Sequence, residues 1–180
     1  QEILDKYYEG DGVLHGVPYP PTTAHAPYYT PFDQLPENVK MLYGYDPVKA
    51  KLLLAEAGYP NGFKTSIVTA NLPADVDLLS MIKAYWAKVG VDLTIDPKEN
   101  AVYSSLNLNK TWDAMMYASA VFTAPDQPVT VTPGHASNLA FIDDRYYDNL
   151  LTVVGRDVIK DPKNFQKTLK EGAVYQLASA

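Results

Sequence analysis

Between residues 64 and 120 the chain switches repeatedly between strand and helix periods, and that alternation limits its possible folds more than any other feature. Lys64 to Ala70 (KTSIVTA) alternates and is rich in β-formers, so it reads as a strand. Asp75 to Val89 places Val76, Leu79, Ile82, Tyr85, Trp86 and Val89 at helical spacing, and Gly90 stops it. Val91 to Asp96 (VDLTID) alternates again, Ala101 to Leu108 is a short helix, and Asp113 to Ala120 (DAMMYASA) is a third, more buried strand. The order predicts an α/β fold with a βαβαβ core, a largely parallel sheet carrying helices on both faces. Such sheets bind ligands outside the carboxyl ends of their strands. That points to the segment after Ala120.

The flanks are less regular. Gln1 to Tyr8 is a helix fragment closed by the turn at Gly10–Gly12. His15 to Pro36 is a long irregular segment with prolines at 18, 20, 21, 27, 31 and 36 and with Tyr19, Tyr28 and Tyr29. A disordered linker is normally poor in aromatics, so this segment is expected to lie packed along the body. Pro36 to Tyr43 is a short helical turn. Phe122 to Asn138 is a second long loop, and Asp143–Val154 and Asp161–Leu177 are two final helices, the second opening on Asp161-Pro162. The chain begins inside an amphipathic helix and GAVYQLASA stops inside a helical pattern, so a piece of a larger protein is expected.

Composition excludes several classes. At 180 residues the chain is one domain or most of one. A net charge of -6 with dispersed Lys and Arg gives no basic footprint for nucleic acid or anionic membrane. With no cysteine, disulfides, thiolate catalysis and Cys-ligated metals are excluded. No apolar run approaches the roughly 20 residues of a membrane span. His15, His25 and His135 lack ligand spacing, so no metal is expected, and no cofactor motif is found. Gly10, Gly12 and Gly16 miss the dinucleotide pattern by one residue and follow a helix rather than a strand.

The candidate ligand residues are Tyr117, Ser119, Phe122, Asp126 and Asn138, grouped at and after the third strand. Aromatic faces with a few polar groups suit a small-molecule cleft. Tyr117 and Phe122 serve equally well as core or loop anchors, and Asn138 equally well caps a turn. Asp75, Asp77, Asp143 and Asp144 stand at helix starts, where the helix dipole accounts for them. Other classes open to such a sheet are an α/β hydrolase using Asp113 or Asp126, and a sensory solute-binding module.

The stretch Tyr45 to Phe63, YDPVKAKLLLAEAGYPNGF, is a helix with its start and stop written in. Asp46 is the N-cap, Pro47 the first helical residue, and Ala50, Leu53, Leu54 and Ala57 form one apolar face. Gly58 ends it, and Pro60, Asn61 and Gly62 forbid its continuation. This spelling resembles the signature of the family 5 extracellular solute-binding proteins, the peptide, nickel and oligosaccharide receptors of ABC importers. Ile3-Leu4 through Gly10-Asp11-Gly12, Val89 to Leu93, Trp112 to Met116, and Asn138 with Asp143 to Leu151 resemble further family segments in the same order. The resemblance implies a periplasmic-binding-protein-like lobe over residues 1–180, the C-terminal lobe of a two-lobe receptor. Its partners would be a small solute (a peptide, a sugar or similar), an N-terminal lobe of the same protein and an ABC permease. It implies binding without catalysis, and an extracytoplasmic location in the periplasm or lipid-anchored at the cell surface, with the signal segment not in this chain. In the family's peptide receptors the third strand runs into Gly-Trp and then an Asp that pairs the peptide amino group. Here Tyr117-Ala118-Ser119-Ala120-Val121 stands in that place, and the nearest acid beyond is Asp126. The resemblance therefore leaves the ligand open.

Overall fold

The computed structural model describes residues 2–12, 19–118 and 132–179. Its helices are α1 (Glu2–Tyr7), α2 (Glu37–Lys40), α3 (Pro47–Glu56), α4 (Pro73–Ala87), α5 (Asn100–Asn109), α6 (Arg145–Lys160) and α7 (Pro162–Ala178). Its strands are β1 (Phe63–Ala70), β2 (Val91–Lys98) and β3 (Met115–Met116). Two units pack separately: residues 1–13 with 45–119, and residues 14–44 with 120–180.

The first unit holds the expected parallel sheet, in the order β2-β1-β3. The register runs from Phe63 opposite Val91 to Ala70 opposite Lys98, and Val68 lies opposite Met116. β1 is the central strand, and its last three residues are buried. Among the described residues β2 is an edge: Val91 and Leu93 are buried, Asp92 and Thr94 exposed, and Pro97 is tolerated there because an edge strand can spare one N–H. With β2 and β3 on either side of β1, the rule that parallel crossovers are right-handed assigns α4 and α5 to opposite faces of the sheet.

Two glycines set the strand entries. Gly62 has φ +74°, and a Cβ on it would stand 1.9 Å from the carbonyl oxygen of Gly90, itself at φ +92°. The turn before β1 thus presses on the turn before β2, and the paired register begins at the next residue of each strand.

α3 starts as its sequence dictates: the Asp46 carboxylate accepts from Lys49 N at 2.9 Å and Pro47 is the first helical residue. Its expected packed face is only partly covered. Ala50 and Leu54 are half-buried, while Leu53 is 54% exposed and no residue of the helix is buried. α4 begins two residues before the expected start, because Pro73 is itself suited to a first helical position. The third strand is shorter than the expected 113–120. Ala114 has φ +52°, outside the extended region, so the ladder starts at Met115; residues 119 and 120 of that expectation lie outside the described residues.

The second unit is built on α6 and α7. Tyr147, Leu150 and Val154 of α6 meet Phe165, Leu169 and Ala173 of α7 around the buried Tyr19. The tyrosines of the irregular segment do pack on the body: Tyr28 lies 5.5 Å from Tyr19 and edge-on to Phe165 at 6.0 Å. The part of that segment before residue 19, with His15, lies outside the described residues. Asp144 caps α6 through Tyr146 N at 2.9 Å and also accepts from the Tyr175 hydroxyl of α7 at 2.8 Å. α6 runs six residues beyond the expected end at Val154, straight through Gly155. The glycine is outweighed by the apolar stripe at Tyr147, Leu150 and Val154 and by Asp157. That carboxylate is 4% exposed, ion-paired with Arg156 at 2.7 Å, and accepts from Asn164 of α7.

Three outcomes follow from this packing. Gly62→Ala lowers unfolding free energy by more than about 2 kcal/mol, because a left-handed backbone and a backbone clash coincide, whereas Gly58→Ala, at φ +93° with open space around its Cβ, costs about 1 kcal/mol; equal losses in urea melts contradict the clash. Gly155→Ala, with nothing within 4 Å of the added methyl, raises stability by about 0.5–1 kcal/mol in the same melts. The hydrogen bonds from Arg156 and then Asn164 hold the Asp157 carboxyl at about 2, below its ordinary 3.8. A lowered folded value means the stabilisation is complete above the ordinary value and is lost as the pH falls towards the folded one. Asp157→Asn therefore lowers the melting temperature at pH 7 and flattens its decline between about pH 4 and pH 2; parallel declines in the two proteins contradict the role given to Asp157.

Candidate functional site

The carboxyl ends of β1 and β3 lie side by side. Tyr117 N donates to Val68 O at 2.8 Å, which carries the pairing one residue past β3. In the strand order 2-1-3 the boundary between β1 and β3 is the point where the chain's crossovers reverse direction, and the ends of such strands open into a crevice. β1 leads through Asn71 and Leu72 into the first turn of α4, which carries Asp75. β2 leads into α5, which carries Tyr103.

Side chains from four elements converge here. The Tyr103 hydroxyl donates to the carbonyl oxygen of Tyr117 at 2.9 Å. The Tyr7 hydroxyl, from α1, donates to the carbonyl oxygen of Ala74 at 2.8 Å, next to Asp75. The rings of Tyr7 and Tyr8 meet edge to face at 4.8 Å. Burial, and then the Asp75 carboxylate followed by Tyr8, Tyr7 and Tyr103, raises the ionisation of the Tyr117 hydroxyl above the ordinary tyrosine value. Tyr7 is raised first by burial, then by Tyr8, Asp77 and Asp75. Tyr103 is raised first by burial, with Asn107 opposing and Asp75 adding. Burial is the largest cause at all three hydroxyls, and the Asp75 carboxylate contributes at each.

Thr69, one residue short of the end of β1, is wholly buried, and its hydroxyl has no hydrogen-bond partner among the described residues. An unsatisfied buried hydroxyl costs about 1–3 kcal/mol, and it sits at the strand end where a crevice is expected.

Of the sequence-derived candidates, Tyr117 lies at this strand end. Ser119, Phe122 and Asp126 lie outside the described residues. Asn138 is taken up elsewhere. Its amide nitrogen donates to Thr132 O at 3.1 Å and Ile142 O at 2.8 Å, and its oxygen accepts from Ile142 N at 3.0 Å. It is a buried clip that closes the loop before α6. Asp113, offered for hydrolysis, is exposed in the bend before β3. The His25 ring nitrogen lies 2.8 Å from the Thr22 hydroxyl, and that of His135 accepts from Ser137 N. Among the described residues no group of three or more His, Cys, Asp or Glu gathers to hold a metal.

Sequence reasoning missed Tyr7, Tyr103 and Asp75. Asp75 carried a sufficient local explanation as a first-turn acid, and nothing local in α1 or α5 marks their tyrosines. The signal that could have found them is topological: residues just after successive parallel strands share one end of a sheet. The second unit has concave features of its own. One is a cavity of about 10 Å³ lined by Tyr19, Tyr28, Thr30, Leu35 and Ala173, room for a single water. Another is a shallow groove along Pro21, Thr23, Tyr29, Pro31 and Lys170. Neither lies at a strand end.

The chain is 39% identical to heme-binding protein A of Haemophilus influenzae over 94 residues, 49% of this chain and 15% of that protein. It is 38% identical to the glutathione-binding protein GsiB of Escherichia coli K12 over 73 residues, 40% of this chain and 12% of that protein. The solved structure of HbpA2 from Haemophilus parasuis superposes with a TM-score of 0.70 at 27% identity, covering 99% of this chain and 35% of that one. The chain thus spans about a third of that solved relative and matches a smaller share of the other two. Residues 1–140 match the model of the bacterial extracellular solute-binding proteins, family 5 (middle region), and the chain belongs to that family.

Proposed function

We propose that this chain is the C-terminal, solute-contacting lobe of a two-lobe extracytoplasmic receptor that delivers a small solute to an ABC importer. The observation that carries the reading is the convergence of Tyr7, Tyr103, Tyr117 and Asp75 at the β1/β3 strand ends of a family 5 chain. Relatives named for binding heme and glutathione support a binding role. The lobe performs no chemistry. It offers aromatic faces and a carboxylate on one wall of a cleft. An N-terminal lobe closes over it about a hinge, and the permease reads the closed form. The receptor works in the periplasm or tethered at the cell surface.

An open half-cleft makes only half the contacts. This chain alone therefore binds its solute at least about 100-fold more weakly than a receptor in which it is joined to the further segments found in its relatives, since each 1.4 kcal/mol of lost contact is tenfold in affinity. The test is a thermal-shift screen of both proteins against peptides, glutathione, heme, sugars, opines and nickel chelates. A true solute at 100 times its Kd stabilises the joined receptor by about 2.7 kcal/mol, and Tyr117→Ala reduces that shift. Sub-micromolar binding by this chain alone, or a solute shift untouched by Tyr117→Ala, overturns the reading.

A further inference from the structure

Resting on the receptor reading, the start of α4 bears on what kind of group the solute presents. Two other helices open on Asp-Pro, Asp46-Pro47 at α3 and Asp161-Pro162 at α7, and each Asp carboxylate accepts from the backbone N–H three residues on. α4 opens on Leu72-Pro73 instead. The Leu72 carbonyl accepts from Val76 N at 3.1 Å, so this residue holds the N-cap position, yet its side chain caps nothing. Leucine is among the poorest N-cap residues, and Asp, Ser and Asn are the best. Packing does not explain the choice, since Leu72 is 55% exposed. An exposed leucine by itself means little; the place of this one gives it meaning. Asn71 N donates to Lys98 O at 2.9 Å and Tyr117 N to Val68 O at 2.8 Å, so β1 is paired on both sides near its end. Leu72 therefore stands at the exit of the central strand, between the exits of β2 and β3, where ligands of such sheets gather. Three residues earlier is the buried Thr69 hydroxyl, without a partner among the described residues. Two local rules are thus broken at one strand end, and such departures concentrate at functional sites.

We infer that Leu72 is a fixed apolar contact for the solute, kept in place of a helix cap, and that the solute presents an alkyl or aromatic group to the end of β1. A polar residue at this position would cap the helix and hydrogen-bond a polar solute alike. Only an apolar contact sets the two needs against each other. The Leu72 N–H donates to Ala70 O at 2.8 Å while its carbonyl is engaged by Val76, so the backbone is held on both sides. An ordered contact costs a ligand less to use than a mobile one. The uncapped first turn of α4 also leaves N–H groups that attract an anion, but Asp75 stands in that turn and its carboxylate opposes one.

The test is a titration of the 180-residue chain, followed through the backbone amide resonances of residues 74–77. Benzyl alcohol is the apolar probe, glycerol the polar neutral one and sodium acetate the anionic one. Benzyl alcohol shifts these amides saturably, and the other two do not. Leu72→Ala, no better a cap than leucine, raises the half-saturation concentration of benzyl alcohol about fivefold, the loss expected for a leucine whose exposed half is covered on binding. Leu72→Met retains binding. Leu72→Ser weakens it as Leu72→Ala does, and also raises the melting temperature of the chain by about 2–4 °C, because serine restores a cap to α4. A leucine that served packing alone would give a lower melting temperature in Leu72→Ser. Equal responses to benzyl alcohol and glycerol, saturable shifts with acetate alone or with no probe, unaltered binding by Leu72→Ala, or a melting temperature that does not rise in Leu72→Ser overturn the inference. A solute from the thermal-shift set that stabilises the joined receptor and its Leu72→Ala variant equally leaves the receptor reading standing while overturning the apolar contact, so the two failures are distinguishable.

Discussion

The contact between Gly62 and Gly90 is the constraint from which the sheet, and so the site, is built. With both backbones in the left-handed region and no Cβ between them, the turn entering β1 can rest on the turn entering β2. The parallel register then starts at once, Phe63 against Val91, and runs the length of both strands. Shifting one strand by a single residue would turn its buried face outward. It would also displace the residues that follow Ala70 and Lys98, which are the starts of α4 and α5. The positions of Asp75 and Tyr103 at the strand ends therefore depend on a backbone approach at the opposite end of the strands.

The local elements were largely legible in the sequence. The Asp46-Pro47 start and the Gly58 stop of α3 work as their chemistry dictates, and Asp161-Pro162 repeats the device at α7, with Asp161 capping through Asn164 N at 3.1 Å. Failures came where one local signal was outweighed by another. The helix expected to end at Val154 continues as α6 through Gly155, because its apolar stripe and the Asp157–Asn164 link lie on both sides of that glycine. The residues DAMMY read as strand, yet Ala114 takes a left-handed backbone and delays the ladder. The face of α3 was expected to be covered, and within the described residues it remains mostly exposed.

The site was less legible than the fold, for a physical reason. Tyr7, Asp75, Tyr103 and Tyr117 are far apart in sequence and meet only because the strand order is 2-1-3. Residue spacing does not encode that order. Tyr117 was found because it follows a strand directly. Asn138 stands in a segment that resembles the family's, and its amide is hydrogen-bonded to backbone atoms of its own loop. The signature stretch that marks the family is a scaffold helix, while the ligand chemistry proposed here gathers on residues that belong to no motif.

Hydrogen exchange tests the central claim most directly, namely that solute is held at the carboxyl ends of β1 and β3. The measurement compares the joined receptor free and saturated with a solute from the thermal-shift set. The account predicts that bound solute slows exchange of the backbone amides at residues 71–77 and around Tyr103 and Tyr117, with little change in residues 19–34. Protection confined to residues 19–34, with the strand ends unchanged, would contradict it.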